Sequence, residues 1–305
     1  MSDAPVSSHT PEVPEAGDVG MAFGSGRSQC GDGASGTDRL AAAFAGAARE
    51  RRAAALMPYL MGGYPTLADS VRIGEACVQA GADVLELGVP YSDPLADGPV
   101  IHAAATRALA AGASLAGVLE VARALAPTVP VVLMCYANMV LAPGAGAFVE
   151  RLARTGACGL IVPDLPFEEA GEVLAACDAH GLALVPLVAP TTPPARLAEI
   201  GARARGFLYT VSVVGTTGER AALAESFAEV VARARAATAV PVALGFGIST
   251  PAQARQAADA GADGVIVGSR LVRAAGDAAG PAGKSGDPAR AVGALVAELA
   301  AGLEA

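Results

Sequence analysis

From position 38 to the C-terminus, short apolar runs alternate with longer stretches in which alanine and leucine recur at helical spacing. Apolar runs bounded by glycine, proline or aspartate read as buried strands, and the stretches between them as amphipathic helices. Strands are expected at 56–61, 83–88, 131–135, 159–162, 183–187, 207–211, 241–245 and 264–267. The gap between the second and third is the longest and leaves room for a substantial loop. A weak internal repeat supports this count. Ala80-Gly81-Ala82-Asp83-Val84, Thr155-Gly156-Ala157-Cys158-Gly159 and Ala260-Gly261-Ala262-Asp263-Gly264 each read as a helix end, a C-cap glycine and a new strand. Eight such units over about 250 residues predict an α/β fold, a single-domain (β/α)8 TIM barrel. A doubly wound open sheet is the structural alternative, and the lack of a GxGxxG after the first strand weakens it.

Residues 1–37 are rich in Ser, Gly, Pro and Asp with no apolar periodicity, and read as a disordered extension. The barrel domain is then 38–305. Asp38 reads as the N-cap of a short N-terminal helix running to about Arg52. The Gly/Ala/Pro-rich stretch 274–288 reads as a loop inserted before a last helix at 289–303.

Composition narrows the function. The 305 residues are 53% hydrophobic, enough for a large core, and the net charge of −9 argues against nucleic-acid or anionic-membrane binding. No basic n-region or apolar h-region opens the chain, whose first basic residue is Arg27. The best apolar run, 131–141, is too short for a bilayer and contains Asn138. Five scattered cysteines without CxxC spacing read as reduced thiols in a cytoplasmic protein. Three histidines make a histidine-rich metal site improbable, and no metal is expected. The sole lysine, Lys284, sits in a low-complexity stretch, which argues against Schiff-base chemistry or covalent pyridoxal phosphate in this chain.

In such a barrel, chemistry sits at the C-terminal strand ends and the loops after them. Alternation along Asp83-Val84-Leu85-Glu86-Leu87-Gly88 puts both leucines toward the helices and Glu86 into the barrel. A carboxylate there is functional, or protonated through a raised pKa, or solvated at the mouth, or paired with an arginine. The following loop, 89–99, carries Asp93 and Asp97 among three prolines. By composition alone these two read as caps for turns or for the next helix. Gly215-Thr216-Thr217-Gly218, Gly245-Phe246-Gly247 and Gly268-Ser269-Arg270 follow strands six, seven and eight. Each alone is a turn; in this order they suit a phosphate cradle, the first of them with the composition of a lid. Tyr136, Tyr209 and Phe246 stand at or near strand ends, where they either line an apolar pocket or pack as ordinary core. His102 reads as a helix-surface residue and Cys135 as a buried thiol.

With these residues in hand, the sequence resembles the tryptophan synthase alpha subunit family from about Asp38 to the C-terminus. The most specific match is residues 85–99, LELGVPYSDPLADGP, supported by MCYAN at 134–138, Pro163-Asp164-Leu165-Pro166, Gly247 and Gly268-Ser269. The resemblance implies retro-aldol cleavage of indole-3-glycerol phosphate to indole and glyceraldehyde 3-phosphate. It also implies a pyridoxal-phosphate beta subunit as partner in an alpha2-beta2 heterotetramer, with no cofactor in this chain itself. In that family the glutamate matching Glu86 is the general acid/base, and the aspartate matching Asp97 assists at the indole nitrogen. Positions matching Gly218, Gly247, Gly268 and Ser269 hold the phosphate; those matching Tyr136, Tyr209 and Phe246 flank the indole. Thr217 matches the lid, and the loop at 90–97, with Pro90 and Asp93, is similar to the part that faces the beta subunit.

The chemistry suits two carboxylates. One exchanges protons at ring C3 and at the side-chain hydroxyl, and the other stabilises the positive N–H. Glu86 is therefore expected with a raised pKa and Asp97 ionised. The sequence departs from the family at Thr216, where valine is common, and at Met61, where threonine is usual. Two alternatives share the resemblance: a free-standing lyase, and a catalytically weak alpha-like activator of a beta subunit. Indole-glycerol-phosphate synthase needs pocket lysines, and phosphoribosylanthranilate isomerase a cysteine at the end of strand one; this chain has neither.

Overall fold

The strands are apolar along their whole length because both faces are covered, one by helices and one by the barrel interior. All seven residues of the first, Ala55–Met61, are buried. The structure, a computed structural model, describes residues 33–50, 52–211, 220–245, 247–280 and 286–304. Among them are nine parallel strands: β1 Ala55–Met61, β2 Leu85–Gly88, β3 Val131–Met134, β4 Gly159–Ile161, β5 Ala183–Leu184, β6 Leu187–Val188, β7 Leu208–Val211, β8 Val242–Gly245 and β9 Gly264–Val267. The helices are α1 Gly36–Arg49, α2 Leu67–Gln79, α3 Pro99–Ala110, α4 Leu115–Leu125, α5 Ala137–Leu141, α6 Ala145–Ala153, α7 Gly171–Ala179, α8 Pro194–Arg203, α9 Arg220–Ala237, α10 Pro251–Asp259, α11 Ser269–Ala279 and α12 Pro288–Leu303. The long gap after β2 holds an irregular stretch, 89–98, and two helices rather than one.

Strand order is β5-β4-β3-β2-β1-β9-β8-β7-β6. The two ends of this sheet are consecutive in the chain, so the sheet closes on itself as the predicted barrel. The single strand expected at 183–187 is split into β5 and β6 by Val185-Pro186. Pro186 has no N–H to continue a ladder. Val185 N–H donates to Leu160 O at 2.9 Å on one side, and Pro186 O accepts from Tyr209 N–H at 3.0 Å on the other. The break is thus the seam at which the barrel joins.

Two cores result. Leu85, Leu87, Val131 and Leu133 pack outward with the helices. Met57, Val84, Val132, Ile161, Ala243 and Ile266 fill the barrel, which Leu40, Phe44 and Ala47 of α1 plug from below. Gly264 makes room for this plug, since a Cβ there would lie 2.9 Å from both Met57 Sδ and Phe44 Cε1. The N-cap of α1 is Ser35 rather than Asp38, which is the third residue of a capping box closed by Ser35. The helix also stops at Arg49, because Arg52 turns to pair with Asp83 across the barrel floor.

The Gly-Ala-Asp repeat has a physical use. Gly81 and Gly261 take positive φ to end their helices. Asp83 and Asp263 then accept the N–H of Leu56 and Val242, each at 2.8 Å, tying each strand to its neighbour. At the other end of the chain, the loop expected at 274–288 is shorter: α11 runs on to Ala279 and α12 starts at Pro288. Gly276 does not break α11, because a Cβ there would lie 2.1 Å from the Tyr64 hydroxyl and the helix packs closely on that ring. No single helix among the described residues is long and apolar enough to cross a membrane.

Candidate active site

Glu86 pairs with Tyr59 on β1 and with Val132 on β3, at the level just above the filled barrel core. It is 1% exposed, and neither carboxyl oxygen has a hydrogen-bond partner. An ionised carboxylate left like this is very costly, so the group holds its proton instead. Burial, with the charge of nearby Asp97 as the second cause, pushes the Glu86 carboxyl up to about 8. Neither solvent nor an arginine meets Glu86, so of the readings weighed from the sequence the structure shows the buried carboxyl with a raised pKa.

Asp97 comes from the loop after β2, which is rooted by Val89 N–H donating to Met134 O at 2.8 Å. It does not cap the next helix. The N-cap of α3 is Gly98, without a side-chain hydrogen bond. The half-buried Asp97 carboxyl is raised by burial, while a hydrogen bond from the Tyr136 phenol and the charge of His102 pull it down. That hydrogen bond is what Glu86 lacks. Tyr136 in turn accepts Ala96 N–H at 3.1 Å and stacks on Tyr91, ring centroids 5.1 Å apart.

A cavity of about 620 Å³ opens over these residues. Tyr59, Glu86, Asp97, Met134, Tyr209 and Ile266 line its floor and one wall, and Gly247, Gly268, Ser269, Arg270 and Arg273 line another. That second wall carries the N-terminus of α11, where Gly268 is the N-cap and no side chain caps the helix. Its free N–H groups and helix dipole favour an anion. Gly247 adopts φ +78, which only glycine takes readily, and so exposes its backbone to the cavity.

Of the residues singled out in the sequence, Glu86, Asp97, Tyr209, Gly247, Gly268 and Ser269 meet around this one cavity. Tyr136 is not among the lining residues; its hydroxyl meets Ala96 N–H and the Asp97 carboxyl instead. Pro90 is buried at the root of the loop, whereas Asp93 is exposed and accepts the Ser92 hydroxyl. The exposed apolar tip is Leu95, 86% exposed, which sequence reasoning passed over. Thr217, Gly218 and Phe246 lie outside the described residues. Tyr59 was also missed, although alternation from Met57 along β1 would have turned it inward. Cys77, Cys135 and Cys177 are buried thiols, each pushed up by burial. Among the described residues no group of three or more His, Cys, Asp or Glu is placed to hold a metal ion.

The sequence profile of the tryptophan synthase alpha chain family matches residues 44–295. The chain belongs to that family. A tryptophan synthase alpha chain from Gloeobacter violaceus is 50% identical over 237 residues, 77% of this chain and 86% of that one. One from Methanosarcina mazei is 49% identical over 225 residues, 74% and 82% of the two chains. Among solved structures, tryptophan synthase from M. tuberculosis in an open form superposes with a TM-score of 0.77 at 40% identity, covering 87% of this chain and 98% of that one. Family membership thus agrees with the resemblance carried by residues 85–99, and the barrel agrees with the fold of these neighbours.

Proposed function

We propose that this chain is the alpha chain of a tryptophan synthase and cleaves indole-3-glycerol phosphate to indole and glyceraldehyde 3-phosphate. The observation that carries the reading is the buried, unpartnered Glu86 carboxyl, protonated near neutral pH, in a cavity that an uncapped helix N-terminus also lines.

The substrate phosphate sits on the backbone amides at Gly268-Ser269 and Gly247. This directs the indole ring toward Glu86, beside Tyr209 and Tyr59. Glu86 gives its proton to ring C3, and the ring becomes an indoleninium cation whose charge is centred on N1. Asp97 lies beside that nitrogen and stabilises its N–H. The Glu86 carboxylate then takes the proton of the hydroxyl on the adjacent side-chain carbon. The C–O bond becomes a carbonyl, the C3–side-chain bond breaks, and its electrons restore the aromatic ring. Glu86 ends protonated, as it began, so one carboxyl serves both transfers. A raised pKa is what such a cycle needs, since the first step requires the acid form at neutral pH.

The beta subunit of an alpha2-beta2 assembly is the partner, and it carries the pyridoxal phosphate. The exposed Leu95 and Asp93 at the tip of the Asp97 loop are the surface we assign to it, which couples docking to the position of a catalytic carboxylate. Buried thiols are compatible with the reducing cytoplasm in which we place the reaction. The test is indole release from indole-3-glycerol phosphate by the purified chain, alone and with a beta subunit. Release that rises with the beta subunit is expected. Turnover of another sugar phosphate, with none of this substrate, overturns the reading.

A further inference from the structure

The sequence holds five tyrosines, and Tyr59 is the one whose phenol is raised, after burial, by the charges of both Asp97 and Glu86, with which it lines the cavity. It is the inward residue of β1 at the register of Glu86. Its ring leans across to β2: a Cβ on Gly88 would lie 2.1 Å from the Tyr59 hydroxyl. Gly88 lies two residues beyond Glu86 on the same face of β2, about 7 Å along the strand. The phenol therefore covers the step immediately above Glu86, on the side of the cavity mouth and of Asp97. Only a residue without a side chain at position 88 admits it.

Several groups surround the Glu86 carboxyl. Tyr59 comes from β1, Asp97 from the loop after β2, and Tyr209 from β7, while Val132 on β3 is apolar. Arg270 and Arg273 of α11 line the same cavity. Arg270 is engaged with Ser249 O at 2.5 Å. Burial and the charges of Asp97 and Glu86 hold the Tyr59 phenol well above its usual range, so it stays a proton donor throughout the working pH range. In the resting site, the Glu86 carboxyl makes no hydrogen bond. A protonated carboxyl tolerates that far better than the carboxylate that exists between the two proton transfers.

Resting on the reading of Glu86 as the acid/base, we propose that Tyr59 is a positioning residue whose hydroxyl donates a hydrogen bond to the Glu86 carboxylate formed after the first proton transfer. The proton stays on Tyr59. Turning the Glu86 side chain toward the mouth brings its carboxylate to the phenol, and toward the side-chain hydroxyl it must deprotonate. The phenol thus holds the base in its reacting position, and Gly88 supplies the space that lets it do so.

The test is Tyr59→Phe in the full-length chain, with Glu86→Gln measured in parallel. Charge-assisted hydrogen bonds of this kind predict a kcat lower by about ten- to a hundredfold with KM changed less than about twofold. Loss of a donor to the ionised form also moves the alkaline limb of kcat to higher pH, by about one pH unit. The limb's position does not depend on how much of the preparation is folded, so it reads the role independently of stability. An unchanged kcat and limb overturn the proposal, as does a raised KM with kcat intact, which would assign the hydroxyl to substrate binding. If Glu86→Gln retains activity, the assignment of the acid/base fails and this proposal with it. If Glu86→Gln is inactive while Tyr59→Phe behaves as wild type, the role of Tyr59 alone fails.

Discussion

Replacing Glu86 by glutamine should make the protein more stable at alkaline pH while removing its activity. The carboxyl titrates near 8 in the folded chain against an ordinary value of 4.5, with burial the main cause. Each pH unit of such a difference is worth about 1.4 kcal/mol. The sign follows from linkage. A carboxyl raised on folding costs nothing while it is protonated in both states, below about pH 4.5. Its cost grows as the unfolded chain ionises and the folded one does not, and is complete above about pH 8. Between pH 5 and pH 8 this one residue should therefore remove about 3 to 4 kcal/mol of stability from the wild type. Glutamine has nearly the same shape and no titration, so the cost of its own buried amide is equal at both pH values and cancels. Urea unfolding of wild type and Glu86→Gln at pH 5 and pH 8 measures the difference directly. The variant is expected to gain about 3 to 4 kcal/mol relative to wild type on going to pH 8. An equal stability difference at the two pH values would refute the claim that Glu86 is buried without a partner.

Other perturbations address the rest of the account. Gly268→Val places a branched side chain where a Cβ already lies 3.3 Å from Tyr59 Cβ, beside the helix N-terminus assigned to the phosphate. Steady-state kinetics should show KM for indole-3-glycerol phosphate up by about tenfold or more. Asp83→Ala leaves the mostly buried Arg52 with only the exposed Glu50 as acidic partner and removes the acceptor for Leu56 N–H. A loss of about 3–5 kcal/mol in urea unfolding is expected. Leu95→Asp charges the exposed tip of the Asp97 loop. Titration calorimetry with a beta subunit should show weaker binding by about tenfold or more, since one desolvated anchor often carries that much.

The inward direction of Glu86 was legible because alternation along β2 is strict: Leu85 and Leu87 have nowhere to go but the helix layer. The chain of strands was legible for the same reason, as buried parallel strands leave unbroken apolar runs. What escaped sequence reasoning depends on contacts between distant residues. The split at Val185-Pro186 shows only when β4 and β7 are known to flank it. The persistence of α11 through Gly276 depends on Tyr64 packing against it, more than two hundred residues away in sequence. Asp97 looked like a helix cap because aspartate before a helix usually is one; Gly98 takes that position and releases the carboxylate to the cavity. The hydrogen bonds of Tyr136 to the loop, with Ala96 N–H and the Asp97 carboxyl, show only once that loop is folded against it.

The central claim is that a buried Glu86, protonated at neutral pH, starts the reaction. The pH dependence of kcat/KM for indole release, in wild type and Glu86→Gln, tests it most directly. The account predicts a wild-type rate that falls as pH rises through about 8, and a Glu86→Gln rate lower by roughly 10²–10⁴-fold at every pH. A wild-type rate that instead rises through pH 4 to 5 and stays level past 8, or a glutamine variant that keeps its activity, would contradict it.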